Sequence, residues 1–152
     1  MWLSRLRLCL LLALAAGVPL RADLPFLASP HVQVAPMKTS IYLGSVTLTT
    51  TEFVPLDDNF TATYEAKVRP WFFWSETGQI TIKLPGTDLT RLALGQTVEF
   101  TGEAANHKNK PRPVTGRAQP ADSASGKIKV RIMADGIELI FNGTYRLDTA
   151  VR

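Results

Sequence analysis

The chain has 152 residues, 45% of them hydrophobic, with 17 lysines and arginines against 13 aspartates and glutamates. A single cysteine, Cys9, and two histidines, His31 and His107, exclude a disulfide-stapled scaffold and a thiolate or histidine-rich metal centre. The basic excess does not describe a generally basic protein, because three arginines sit in a segment expected to be removed.

That segment is residues 1–22. Arg5 and Arg7 precede an apolar run from Leu8 to Val18, and cleavage after Ala22 fits a signal peptide. The run is too short for a bilayer span, which takes roughly 20 apolar residues, and no second run of that kind follows. A secreted or periplasmic protein is therefore expected, with no transmembrane segment in the mature chain. Without Arg5, Arg7 and Arg21, 14 bases face 13 acids. The charge that remains is segregated. Between His107 and Arg131 lie Lys108, Lys110, Arg112, Arg117, Lys127, Lys129 and Arg131 with one acid, Asp122, while the rest is acidic.

Residues 23–38 carry Pro25, Pro30 and Pro36 and no period, which predicts an extended lead-in to a single domain at 39–148 with a tail at 149–152. Ile41 to Phe53 is rich in β-branched residues, and Gly44 marks a bend, so a strand or kinked pair is expected. Asp57-Asp58-Asn59 reads as a solvated turn, since it lacks the spacing and glycine of a calcium loop. In Phe60 to Val68, Phe60, Ala62, Tyr64, Ala66 and Val68 alternate with polar residues, the pattern of a half-buried strand.

After Pro70, Trp71-Phe72-Phe73-Trp74 is read as continuing strand up to a turn at Ser75 to Gly78, with a further strand at Gln79 to Leu84. Alternation would put one aromatic pair on each face. Thr87 to Leu92 is expected to form at most one helical turn capped by Asp88, with Leu89, Leu92 and Leu94 entering the core. Thr97 to Thr101 alternates again. Glu103 to Gly126, with Pro111, Pro113 and Pro120, predicts a long loop holding at most a short edge strand at Val114 to Ala118.

The best-determined stretch is Lys127 to Leu147. Two alternating runs flank Asp135-Gly136, a dipeptide suited to two consecutive positive φ angles, so a two-residue hairpin is predicted. Centring the turn there opposes Ile132 with Leu139, Val130 with Phe141 and Ile128 with Gly143 on one face. Lys127, Lys129 and Arg131 take the other face, and a one-residue slip would bury them. The fold expected is all-β: an antiparallel sandwich or partly closed barrel of about seven or eight strands.

Two candidate binding features follow. Trp71, Phe72, Phe73 and Trp74 form an aromatic platform for a glycan, a lipid or a protein if one face is exposed. His107, Lys108, Lys110, Arg112, Arg117, Lys127, Lys129 and Arg131 form a basic strip for an anionic envelope component, a lipid headgroup or acidic glycan, if the loop folds back on the hairpin. The blander reading of each is a partly covered core element and an ordinary solvated strand face. Nucleic acid is not expected for an exported chain whose bases lack interleaved aromatics.

No catalytic constellation is visible. There is no G-x-S-x-G, and Glu76, Glu99, Glu103 and Glu138 are scattered without a spacing that selects a pair. No catalytic residue, metal site or cofactor is assigned, and a non-enzymatic binding or structural module of the cell envelope is expected. Gly102-Glu103, His107 and Arg112-Pro113-Val114-Thr115 resemble the G-[DE]-x-x-x-H…[KR]-P-V-T stretch of the YceI-like secreted lipocalin-type barrels. Here the histidine-to-proline spacing is one residue longer, and Ala105 and Asn106 replace two apolar residues of that pattern. The resemblance implies an alternative, a barrel that carries an apolar lipid. A hydrolase with unassigned carboxylates is the third reading.

Overall fold

The computed structural model describes residues 30–148. The expected signal peptide at 1–22, the expected lead-in up to residue 29 and the expected tail at 149–152 lie outside the described residues. In chain order the elements are β1 (His31–Val34), β2 (Met37–Ile41), β3 (Gly44–Thr50), β4 (Val54–Leu56), β5 (Asn59–Arg69), β6 (Glu76–Lys83), α1 (Gly86–Ala93), β7 (Val98–Asn106), β8 (Pro111–Pro120), β9 (Ser125–Ala134) and β10 (Ile137–Asp148).

The ten strands of the described residues belong to one antiparallel sheet, ordered β1-β10-β9-β8-β7-β6-β5-β3-β2, with β4 alongside β5. The sheet curls into a half-barrel. A sandwich is thereby corrected to a single curled sheet, and the count of seven or eight rises to ten because β1 and β4 are short additions to an eight-strand meander.

The side-chain period of two decides what fills the barrel. Phe60, Ala62, Tyr64 and Val68 of β5, Ile80 and Ile82 of β6, Val98, Phe100 and Ala104 of β7, and Val130 and Ile132 of β9 are all buried. The β9–β10 hairpin has the register its turn predicts, with Ile132 opposite Leu139, Val130 opposite Phe141 and Ile128 opposite Gly143. Asp135 and Gly136 take φ of 50° and 82° as the turn requires. Inward glycines make room for the largest side chains. A Cβ on Gly116 would run into the Phe100 ring, so β8 must be bare where that ring lies.

Residues His31 to Ile41 close the curl by serving two edges. β1 pairs with β10, Val32 opposite Leu147 and Val34 opposite Tyr145, and also bridges to Phe53 through Val32 N–H to Phe53 O at 3.2 Å and Phe53 N–H to Val32 O at 2.8 Å. The chain switches at Ala35-Pro36, and β2 pairs with β3. Met37 then packs over Gly143, which joins β2 to β10 by contact where no ladder pairs them. The second half of the predicted lead-in is thus structural strand.

Three local expectations are corrected. Glu103 to Gly126 is the end of β7, a tight turn and the ten-residue β8, which lies inside the sheet. Its prolines are tolerated because Pro111 and Pro113 alternate with the hydrogen-bonded pair at Asn106 and Lys110, turning their nitrogens toward β9, whose ladder begins only at Val114. The helix α1 has eight residues and Pro85 at its N-cap, while Asp88 sits in the first turn against Arg91 at 3.3 Å. Leu92 is buried and Leu89 partly so, but Leu94 is exposed. Among the described residues no helix is long and apolar enough to cross a membrane.

Candidate functional site

The meander sends four connections to one end of the barrel: Tyr42-Leu43, Pro70 to Ser75, His107 to Lys110, and Asp135-Gly136. α1 and the β8–β9 turn lie at the other end, where Leu92 lines the packed interior. That interior keeps a void of only about 60 Å³, walled by apolar side chains. At the four-turn end a cleft of about 800 Å³ opens. Its walls are Ile41, Val46, Ala66, Val68, Leu139 and the aromatics Tyr42, Trp71, Phe73 and Trp74, and its polar floor is Glu76, Asn106 and Arg112. The cleft reaches from Thr39 to Ile41 of β2 across to Ile137 to Leu139 of β10, the two strands that no ladder joins.

The floor is built by inward parity at the ends of three adjacent strands. Glu76 shares the face of Ile80 and Ile82, Asn106 that of Phe100 and Ala104, and Arg112 that of Val114 and Ala118. Glu76 accepts four hydrogen bonds. Tyr64 O–H donates to Oε1 at 2.8 Å, Arg112 Nε to Oε1 at 3.2 Å, Arg112 Nη2 to Oε2 at 3.0 Å and Asn106 Nδ2 to Oε2 at 2.9 Å. The other edge of the guanidinium donates to Asp135, Nη1 to Oδ1 at 2.9 Å and Nη2 to Oδ2 at 3.1 Å. Asn106 Oδ1 accepts the backbone N–H groups of Lys108 and Lys110, so the amide also sets the shape of the basic turn. Lys110 Nζ lies 3.6 Å from Asp135, which balances two carboxylates with two cations.

These contacts set the ionisation. Burial pushes the Glu76 carboxyl up, and hydrogen bonds from Arg112, Asn106 and Tyr64 outweigh it, leaving the group below its ordinary value. Hydrogen bonds to Glu76 and Asp135 hold Arg112 above the ordinary guanidinium value despite burial. Burial, then the hydrogen bond to Glu76, raises the Tyr64 hydroxyl. The Arg112 bond lowers Asp135. Arg112, only 5% exposed, spends four of its five N–H donors on protein carboxylates. Its geometry is that of a brace tying the β5–β6, β7–β8 and β9–β10 turns together.

The aromatic residues are placed differently from the expectation. Trp71 to Trp74 is not strand. Phe72–Trp74 form a 3₁₀ turn, with Phe72 N–H to Pro70 O, Trp74 N–H to Trp71 O and Ser75 N–H to Phe72 O, each at 3.0 Å. Strand resumes at Glu76, so the turn expected at Ser75 to Gly78 is instead the start of β6. All four rings are exposed and pack on one another, with centroids 5.3 to 6.0 Å apart.

The basic residues do not converge on one strip. His107, Lys108 and Lys110 sit at the cleft rim, and Arg112 is buried in its floor. Arg117, Lys127, Lys129 and Arg131 line the outer wall, Arg117 opposite Lys129 across β8 and β9. Arg131 reaches Glu138 at 3.8 Å. Of the four carboxylates considered from the sequence, Glu76 enters the cleft floor and Glu138 lines the cleft beside Leu139. The parity of Glu76 with Ile80 and Ile82 was the available signal; reading Ser75 to Gly78 as a turn broke that count. Among the described residues no group of three or more His, Cys, Asp or Glu side chains is placed to hold a metal ion.

Comparison with family models, with curated proteins and with solved structures finds no match for the chain.

Proposed function

We propose that the protein is an exported, non-enzymatic binding module that holds a small amphiphile in the cleft at the end of its half-barrel. One observation carries this reading: a cleft of about 800 Å³ with aliphatic and aromatic walls, within the roughly 300–1,000 Å³ usual for small-molecule sites. An interior void of about 60 Å³ favours this cleft over the lipocalin-type mode, a chain threaded through the barrel. The apolar part of a ligand would lie against Ile41, Ala66, Val68 and Leu139, and a polar part would face Asn106 and the rim lysines. Because Glu76 and Asp135 are locked by Arg112, the floor offers no carboxylate pair arranged for acid–base chemistry, which favours binding over hydrolysis.

The test is saturable binding of a series of fatty acids of increasing chain length, measured by native mass spectrometry and calorimetry. Affinity should rise with chain length until the cleft is filled and then level off. Ala66→Phe, which adds volume to the cleft wall, should weaken the longest members most while leaving thermal melting close to wild type. Binding of no member, or binding that Ala66→Phe leaves unchanged, refutes the proposal.

A further inference from the structure

We infer that the four-turn end of the barrel is a membrane-docking face that settles onto an anionic lipid bilayer with the cleft mouth against the lipid. Two independent turns project large apolar side chains there. Tyr42 is 98% exposed and Leu43 follows it on the β2–β3 turn, while Phe72, at 78%, leads the exposed 3₁₀ turn between β5 and β6. The turns adjoin, since Gly44 lies directly against the Arg69 carbonyl and 3.1 Å from Pro70, measured from where its Cβ would be.

The aromatic turn is preorganised rather than loose. Its three backbone hydrogen bonds are joined by one from the Val68 N–H to Ser75 Oγ at 2.9 Å, and its rings buttress each other. A soluble surface gains nothing from holding Phe72, Phe73 and Trp74 in water. Rings with an apolar body and, for Trp and Tyr, a polar edge suit the headgroup level of a bilayer, where both parts are satisfied.

Charge identifies the partner further. The neighbouring turn, His107 to Lys110, carries Lys108 and Lys110 on the same rim and no acid. The acids nearby are already engaged, Asp135 by Arg112 and Lys110, Glu76 by Arg112, and Glu138 by Arg131, which leaves Lys108 as the base of this turn that no carboxylate pairs among the described residues. Aromatic tips that insert beside bases that remain at the surface fit an interface rich in anionic phospholipid, where each base near the surface strengthens binding about fivefold. The inference does not depend on what occupies the cleft.

Vesicle flotation tests it, using the chain as its expressing cell processes it, with phosphatidylcholine alone or mixed with phosphatidylglycerol. Every variant carries the same N terminus, so contributions from residues 1–29 cancel. The wild type should float with the mixed vesicles and less well with phosphatidylcholine, and Trp71 and Trp74 should become shielded from acrylamide on binding. Phe72→Ser/Phe73→Ser/Trp74→Ser should lower the bound fraction at least tenfold on both vesicles, since each ring is anchored by apolar burial. Lys108→Gln should lower only the increment due to phosphatidylglycerol, by about fivefold. Lys127→Gln/Lys129→Gln, on the outer wall, should float like wild type. Retained flotation of the triple serine variant overturns the inference, as does equal loss with the outer-wall variant. No flotation of the wild type, with self-association in sedimentation that the triple serine variant abolishes, assigns the patch to a second copy and also overturns it. If Ala66→Phe abolishes fatty-acid binding but floats normally, docking stands apart from the ligand reading; if fatty acids fail to bind at all, flotation still decides the docking question.

Discussion

Arg112→Met removes the cation that holds the cleft floor together. It leaves Glu76 buried with donors only from Tyr64 and Asn106, while Asp135 is exposed and keeps Lys110. The side chains of Arg112 and Glu76 are 7% and 18% exposed, so solvent screens the pair weakly, and stranding one partner of such a pair costs about 3–5 kcal/mol. Adding Glu76→Gln neutralises the stranded carboxylate and keeps an oxygen for Tyr64, so about 2 kcal/mol should return. The pH dependence carries a sign. In the wild type Glu76 is depressed from 4.5, so its contribution is fully present above about pH 4.5 and fades as pH falls through the lower folded value. In Arg112→Met burial raises Glu76, so the penalty is present at neutral pH and vanishes once the group is protonated. The stability gap between the two proteins should therefore narrow below about pH 5. Urea denaturation followed by circular dichroism across pH measures it. A cost under about 1 kcal/mol, a gap that widens in acid, or a further loss on adding Glu76→Gln would show that Arg112 is not the brace.

Gly116→Val drives a side chain into the space of the Phe100 ring and should cost about 1–3 kcal/mol; Phe100→Leu in the same chain should recover part of it, and additivity in a double-mutant cycle of urea melts would refute the contact. Gly136→Ala meets no atom within 4 Å but must keep φ of 82°, so its cost of about 1–2 kcal/mol is purely backbone and, in a hairpin that forms early, should appear as slower folding without loss of fatty-acid or vesicle binding.

Where local chemistry and side-chain period agree, the fold was legible in the sequence. Asp135-Gly136 set the turn, and alternation on both sides set the register down to Ile128 opposite Gly143. Phe60 to Val68 was readable for the same reason. The failures have distinct causes. At Trp71 to Trp74 hydrophobicity suggested strand, but four consecutive rings after Pro70 fold into a turn whose partners are one another. In β8 three prolines argued against an interior strand, and only the pairing geometry, in which Pro111 and Pro113 face a side without a ladder, makes them harmless. His31 to Val34 lacks a period because its order comes from β10, far away in sequence. The cleft floor was hidden because Arg112 looked like one base among seven, whereas its alternation with Val114 and Ala118 points it inward.

The strand that fastens the half-barrel is also a statement about time. β1 and β2 leave the ribosome first, yet β1 needs β10, with Val32 opposite Leu147, before its ladder exists. Loop closure over that separation comes late, after the local hairpins have formed. Until then the outer edge of β2 and the apolar faces of β5 to β7 have no cover, so a chain stalled short of β10 would be a sticky, unfastened sheet.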